Sequence, residues 1–115
     1  SLPTMPDHTI ELQDKHLNLV LNGDLLAADV PDLQKALRAA LKPAVMEMTV
    51  DLHRSTMLDS TAIGLLIAAS KSMARQRGRL KVVNASQEIY HLLQSMHLVK
   101  FLNVTGSGTT EAACG

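Results

Sequence analysis

The sequence predicts an α/β fold, a single domain built on a mixed four- to five-stranded sheet with three or more packed helices. Three observations carry that prediction. Short apolar or alternating segments are interleaved with segments of helical period, in the order β-β-α-β-α-β-α-β. Strands alternating with helices imply a partly parallel sheet. The first two strand segments are separated by only two residues, so the sheet begins with a hairpin and is mixed. The length of 115 residues fits one domain, and no internal repeat divides it.

The elements follow in order. Ile10 and Leu12 alternate with Glu11 and Gln13, and Leu17, Leu19 and Leu21 share one face of the segment from His16 to Asn22. Asp14-Lys15 joins them, although Asp-Gly is the preferred two-residue turn. Asn22-Gly23-Asp24 breaks the second strand. Asp29 near Pro31 signals a helix start. Leu33, Ala36, Leu37, Ala40 and Leu41 then recur at helical spacing until Pro43 stops the run. Val45 to Leu52 reads as a strand. Ser60 or Thr61 caps a second helix that is apolar nearly all round, and therefore buried on most sides. Gly64 inside that helix costs about 1 kcal/mol relative to alanine, which predicts close helix-to-sheet packing there. Gly78 is the expected residue just past its end. Leu80 to Val83 is a short strand, Asn84-Ala85-Ser86 opens a third helix, and Leu98 to Val104 is the expected last strand. Residues 1–7 and 105–115 read as a flexible N-terminus and tail around a domain at 8–104.

Composition excludes several functions. Hydrophobic residues make 46% of the chain but aromatics only 2%, Tyr90 and Phe101, so the core is aliphatic. Lys+Arg and Asp+Glu are both 11. Neutral charge and missing stacking platforms argue against nucleic acid as a partner. Low repulsion leaves self-association open, a homodimer included. The lone Cys114 cannot form an internal disulfide, which suits a cytoplasmic setting. No apolar run reaches the ~18 residues of a membrane span, and no secretory leader is visible, so no direct membrane insertion is expected. The five histidines show no paired metal spacing, and a Gly-x-Ser-x-Gly elbow is absent. No metal, cofactor or catalytic residue is therefore expected. Lys71, Arg75, Arg77, Arg79 and Lys81 read as a solvated helix end complementing the helix dipole, with contact to an acidic partner as the alternative.

The segment Val50-Asp51-Leu52, followed by Met57-Leu58-Asp59-Ser60-Thr61-Ala62-Ile63-Gly64-Leu65-Leu66, resembles the signature of STAS domains of the bacterial anti-sigma factor antagonist type. Leu21-Asn22-Gly23-Asp24-Leu25, Arg77 to Asn84, and Glu88 to Phe101 also resemble segments of that family in the right order. The likeness spans roughly residues 8 to 104.

The resemblance implies a non-enzymatic regulator. Its partners would be a serine protein kinase that doubles as an anti-sigma factor and a protein phosphatase that resets the cycle. It implies Ser60 as the phosphoacceptor and a partner-binding surface at Asp24, Asp59, Ser60, Thr61, Ala62 and Asn84; Thr61, next to Ser60, reads as a second cap ahead of a second phosphorylation site. Ala62 stands where the family has glycine, and its methyl is expected to narrow access to Ser60. Leu26 stands where some members carry an aspartate near the phosphoserine, with Asp24 the expected substitute. These departures motivate an alternative with the same fold: an unphosphorylated accessory subunit of an ABC-type lipid transport system, or a component of a chemosensory or stress-signalling scaffold.

Overall fold

A computed structural model describes residues 8–106. The elements are β1 (His8–Gln13), β2 (His16–Leu21), α1 (Val30–Ala40), β3 (Glu47–Asp51), α2 (Ser60–Arg75), β4 (Arg79–Ala85), α3 (Gln87–Ser95) and β5 (Val104–Gly106). A 3-10 turn over Ala27–Asp29 leads into α1. The element order is the one predicted, and all five strands form one sheet in the order β1-β2-β3-β4-β5.

The hairpin is antiparallel, with Gln13 opposite His16. Asp14 takes a left-handed φ of 56°, a conformation its short polar side chain tolerates. β2, β3, β4 and β5 are parallel neighbours. Each crossover therefore moves one strand along in the same direction. Right-handed crossovers place α1, α2 and α3 on one face.

The strand period of two decides what that face buries. Leu17, Leu19 and Leu21 of β2, Met48 and Val50 of β3, and Leu80 and Val82 of β4 are all buried. They join Leu33 and Leu37 of α1, Ile63, Leu66 and Met73 of α2, and Ile89 and Leu93 of α3 in a single aliphatic core. The alternate positions form cross-strand rows on the other face, one of which runs Glu11, Asn18, Thr49, Lys81. There His16 Nε2 lies 2.8 Å from Thr49 Oγ1.

Helix ends account for most differences from expectation. α2 closes in a Schellman motif: Arg77 N–H donates to Ala74 O and Gly78 N–H to Met73 O. The left-handed residue is Arg77, with φ 62°, rather than Gly78. Gly78 serves close packing instead, since a Cβ there would sit 2.6 Å from Met73 Cε and 2.8 Å from Met46 O. α3 ends in the same way, with His97 left-handed at φ 60° and Leu98 N–H donating to Leu93 O. Its start is Ser86, whose hydroxyl accepts from Ile89 N–H at 3.1 Å, while Asn84 and Ala85 still belong to β4.

The expected strand over Leu98–Val104 is mostly turn. Leu102 N–H donates to Leu98 O and Val104 N–H to Val99 O. Leu102 is buried from within that turn, so apolar character there reflects anchoring rather than a strand. Thr105 and Gly106, expected in the flexible tail, lie in β5. The strand expected over Val45–Leu52 is shorter, Glu47–Asp51. The expectations for residues 1–7 and 107–115, Cys114 included, lie outside the described residues. No helix among the described residues is long and apolar enough to cross a membrane.

Candidate functional site

The sequence-predicted residues gather where two loops run side by side beyond the C-terminal ends of β2 and β3. Leu25 and Leu58 form an isolated parallel bridge. Beside it Ser55 Oγ donates to Gly23 O at 2.7 Å. Gly23 takes φ 148°, a region open to glycine and strained for other residues. Asp24 then turns its carboxylate across to the second loop. It accepts from Thr56 N–H at 2.6 Å, from Met57 N–H at 3.1 Å and from the Thr56 hydroxyl at 2.9 Å. The Thr56 backbone N–H is the main reason its carboxyl titrates below the ordinary aspartate value; burial opposes that, and the Thr56 hydroxyl and Met57 N–H reinforce it.

Asp59 completes the clamp. One carboxylate oxygen accepts from Ala62 N–H at 2.9 Å and the other from Ala27 N–H at 3.0 Å. Asp59 is therefore the cap of α2, in extended conformation at φ −89° and ψ 176°. The sequence assigned the cap to Ser60 or Thr61. Both instead sit in the first turn of α2, exposed to solvent. Among the described residues the Ser60 hydroxyl makes no hydrogen bond. Asp59 satisfies one of the N–H groups a helix start leaves open, which releases Ser60 from that task.

Two other residues are placed differently from expectation. Ala62 is fully buried, so its methyl points into the core rather than out beside Ser60. Asn84 lies at the end of β4 with φ 59°, and its amide donates to Asp51 Oδ1 at 3.0 Å. The same oxygen meets His53 N–H at 2.9 Å and His53 Nδ1 at 3.0 Å. Burial pushes the Asp51 carboxyl up, but the bonds from Asn84 and His53 outweigh it and hold the group below its ordinary value. Asn84 thus ties β4 to β3.

The exposure of three residues on this surface was not read from sequence. Leu26 and Met57 are 53% and 59% exposed, and they flank the Leu25–Leu58 bridge as an apolar border. Gly64, one turn beyond Ser60, is on the exposed side of α2, where an added Cβ would meet nothing within 4 Å. The close packing expected at Gly64 is therefore absent. The signal for an exposed position was its spacing of four residues from Ser60, which puts both on one helical face. Among the described residues no group of three or more His, Cys, Asp or Glu is placed to hold a metal ion.

Fold and site together define a small single-sheet α/β domain, with its polar surface gathered around one helix start rather than in an enclosed cleft. The chain belongs to the STAS domain family: a family model described as "Mlab, STAS domain" matches residues 8–104. It is 25% identical over 99 residues to an anti-sigma-B factor antagonist of Staphylococcus aureus (strain NCTC 8325 / PS 47), covering 86% of this chain and 92% of that protein. The solved structure of the anti-sigma factor antagonist SpoIIAA in its unphosphorylated form superposes with a TM-score of 0.77 at 20% identity, over 93% of this chain and 92% of the other. The phosphorylated form of SpoIIAA, from Bacillus, gives a TM-score of 0.71 at 20% identity, over 93% and 96%. These two likenesses show the shared fold.

Proposed function

We propose that the chain is an anti-sigma factor antagonist that binds a partner serine kinase/anti-sigma factor through the start of α2 and is released when Ser60 is phosphorylated. One observation carries this reading: Ser60 is exposed and unengaged in the first turn of α2, while Asp59 alone caps the helix. Modification therefore breaks no hydrogen bond of the fold. The names of the curated relatives and the existence of a related fold in phosphorylated form support it.

The energetics suit a switch. A phosphate adds about −1.5 to −2 charges, and a helix start favours negative charge by about 0.3–1 kcal/mol. Asp24 and Asp59 oppose it, but their carboxylates already receive three and two donors from the protein. The folded state thus tolerates the group. A partner packed over Ser60 must instead desolvate or repel it, and a penalty of about 2.8 kcal/mol weakens binding about 100-fold. The partner's kinase activity would place the phosphate and a phosphatase would remove it.

The testing experiment is incubation with the cognate kinase and ATP, followed by site mapping and by binding measurements on Ser60→Asp and Ser60→Ala. Modification at Ser60, with binding kept by Ser60→Ala and lost by Ser60→Asp, is the expected result. Leu26 favours a second reading, a constitutive STAS accessory subunit of a lipid-transport ABC system. An apolar side chain 53% exposed at this border suits a permanent contact better than a charge switch. Under that reading an ABC ATPase co-purifies and Ser60→Asp leaves the complex intact.

A further inference from the structure

α1 and α2 do not close fully against each other. Between them lies a solvent-open groove of about 640 Å³. Its α1 wall is the stripe Gln34, Leu37, Arg38 and Leu41, and its α2 wall runs from Leu65 to Gln76. At 1.5 Å per residue these walls extend about 10 Å and about 16 Å. The bottom is apolar, formed by Leu37, Leu65 and Ala69, with Leu41, Pro43 and Ala68 nearer the surface.

The charges on this groove are of one sign. Arg38, Lys71 and Arg75 line it, and no acidic residue does. Arg75 reaches Ser72 Oγ at 3.1 Å. Among the described residues the ion pairs are His16–Glu47 and His53–Asp51, so the three cations of the groove enter none. The basic cluster noted in the sequence is thereby divided. Lys71 and Arg75 belong to the groove, while Arg79 and Lys81 occupy strand positions on the sheet face away from the helices.

We propose that this groove docks an acidic amphipathic helix of a partner protein. An elongated trough between two helices, about 8–10 Å from axis to axis when filled, is the seat a third helix takes in helix packing. Apolar anchors at i, i+3, i+4 and i+7 would enter between Leu41, Pro43 and Ala68, and flanking Glu or Asp side chains would meet Arg38, Lys71 and Arg75. A membrane surface is flat and touches protrusions, whereas these apolar groups lie in a concavity. Nucleic acid would match the cations but leave the apolar floor without a partner. Lys71 is eleven residues along α2 from Ser60, about 16 Å at the helical rise, so this surface is separate from the proposed phosphorylation site.

The test uses fluorescently labelled amphipathic peptides of about 18 residues, long enough to hold helix: one with Leu and Glu faces, one with Lys replacing every Glu. Phosphatidylglycerol vesicles serve as the third probe. Wild type is compared with Arg38→Glu/Lys71→Glu and with the charge-matched Arg79→Glu/Lys81→Glu, whose folding is checked by circular dichroism. The acidic peptide is expected to bind wild type, to lose affinity about tenfold or more in the groove variant, and to bind the sheet-face variant unchanged. Amide shift changes in wild type should map to residues 34–41 and 65–76. Equal losses in both variants, equal binding of the basic peptide, no binding of the acidic one, or preference for vesicles would each overturn the proposal. None of these results bears on Ser60, which both double variants retain.

Discussion

At the scale of single residues, Asp59 has the largest structural task at the site. Its two oxygens satisfy one N–H of α2 and one N–H of the loop before α1. Asp59→Ala removes a cap worth about 1 kcal/mol and leaves a second donor unpaired, so a loss of about 1–2 kcal/mol is expected in urea unfolding. Ser60→Ala should stay within about 0.5 kcal/mol of wild type, because an exposed residue without a partner contributes little. Asp24 and Asp51 set the acid response. Both carboxyls titrate below their ordinary value in the fold. Their contribution is present above the unfolded pKa and is lost as pH falls through the depressed folded value. Stability should therefore decline below about pH 4. Asp24→Asn and Asp51→Asn should be less stable than wild type at neutral pH, with the gap closing toward strongly acid pH. A gap that persists at low pH would show that packing, not ionisation, is responsible.

At the scale of elements, two glycines separate packing from exposure. Gly64 faces open space inside α2, so Gly64→Ala should stabilise by about 0.8–1 kcal/mol through helix propensity. Gly78 is pressed against Met73 and Met46, so Gly78→Ala should destabilise by about 1–3 kcal/mol. Thermal unfolding of the two variants should shift in opposite directions. The same elements show what the sequence could convey. Alternation in β1 and β2, helical period in α1 and the Asp29–Pro31 start all reported local geometry, and those elements stand as read. The cap of α2 was harder, because Asp59, Ser60 and Thr61 are three successive residues that can all cap. Only the bonds to Ala62 and Ala27 decide among them. Asp24 was noted as part of the site, yet its partners Thr56 and Met57 lie over thirty residues away, beyond any local pattern. The turn over residues 98–103 read as strand because buried anchors such as Leu102 look the same in either conformation.

At the scale of the whole molecule, a formal charge of zero conceals an ordered separation. Asp24, Asp29, Asp32, Asp59 and Glu88 lie at helix starts or the loops feeding them, while Arg38, Lys42, Lys71, Arg75 and Arg77 lie at helix ends. The parallel topology points every helix start the same way, so the charges on and beside the helices complement the helix dipoles, while Arg54 lies in the loop after β3 at the Ser60 end and Asp14 and Glu47 lie at the other. A partner of the Ser60 end should therefore present a basic face, and its association rate should fall as salt rises. Charge at Ser60 alone is expected to govern that association. The measurement is the affinity of the cognate serine kinase/anti-sigma factor for unmodified chain and for chain phosphorylated at Ser60, with thermal unfolding of both forms as the control. The expected result is binding about 100-fold weaker after phosphorylation, with the fold unchanged. Equal affinity of the two forms would contradict the switch and leave Ser60 as an exposed residue of a constitutive docking surface.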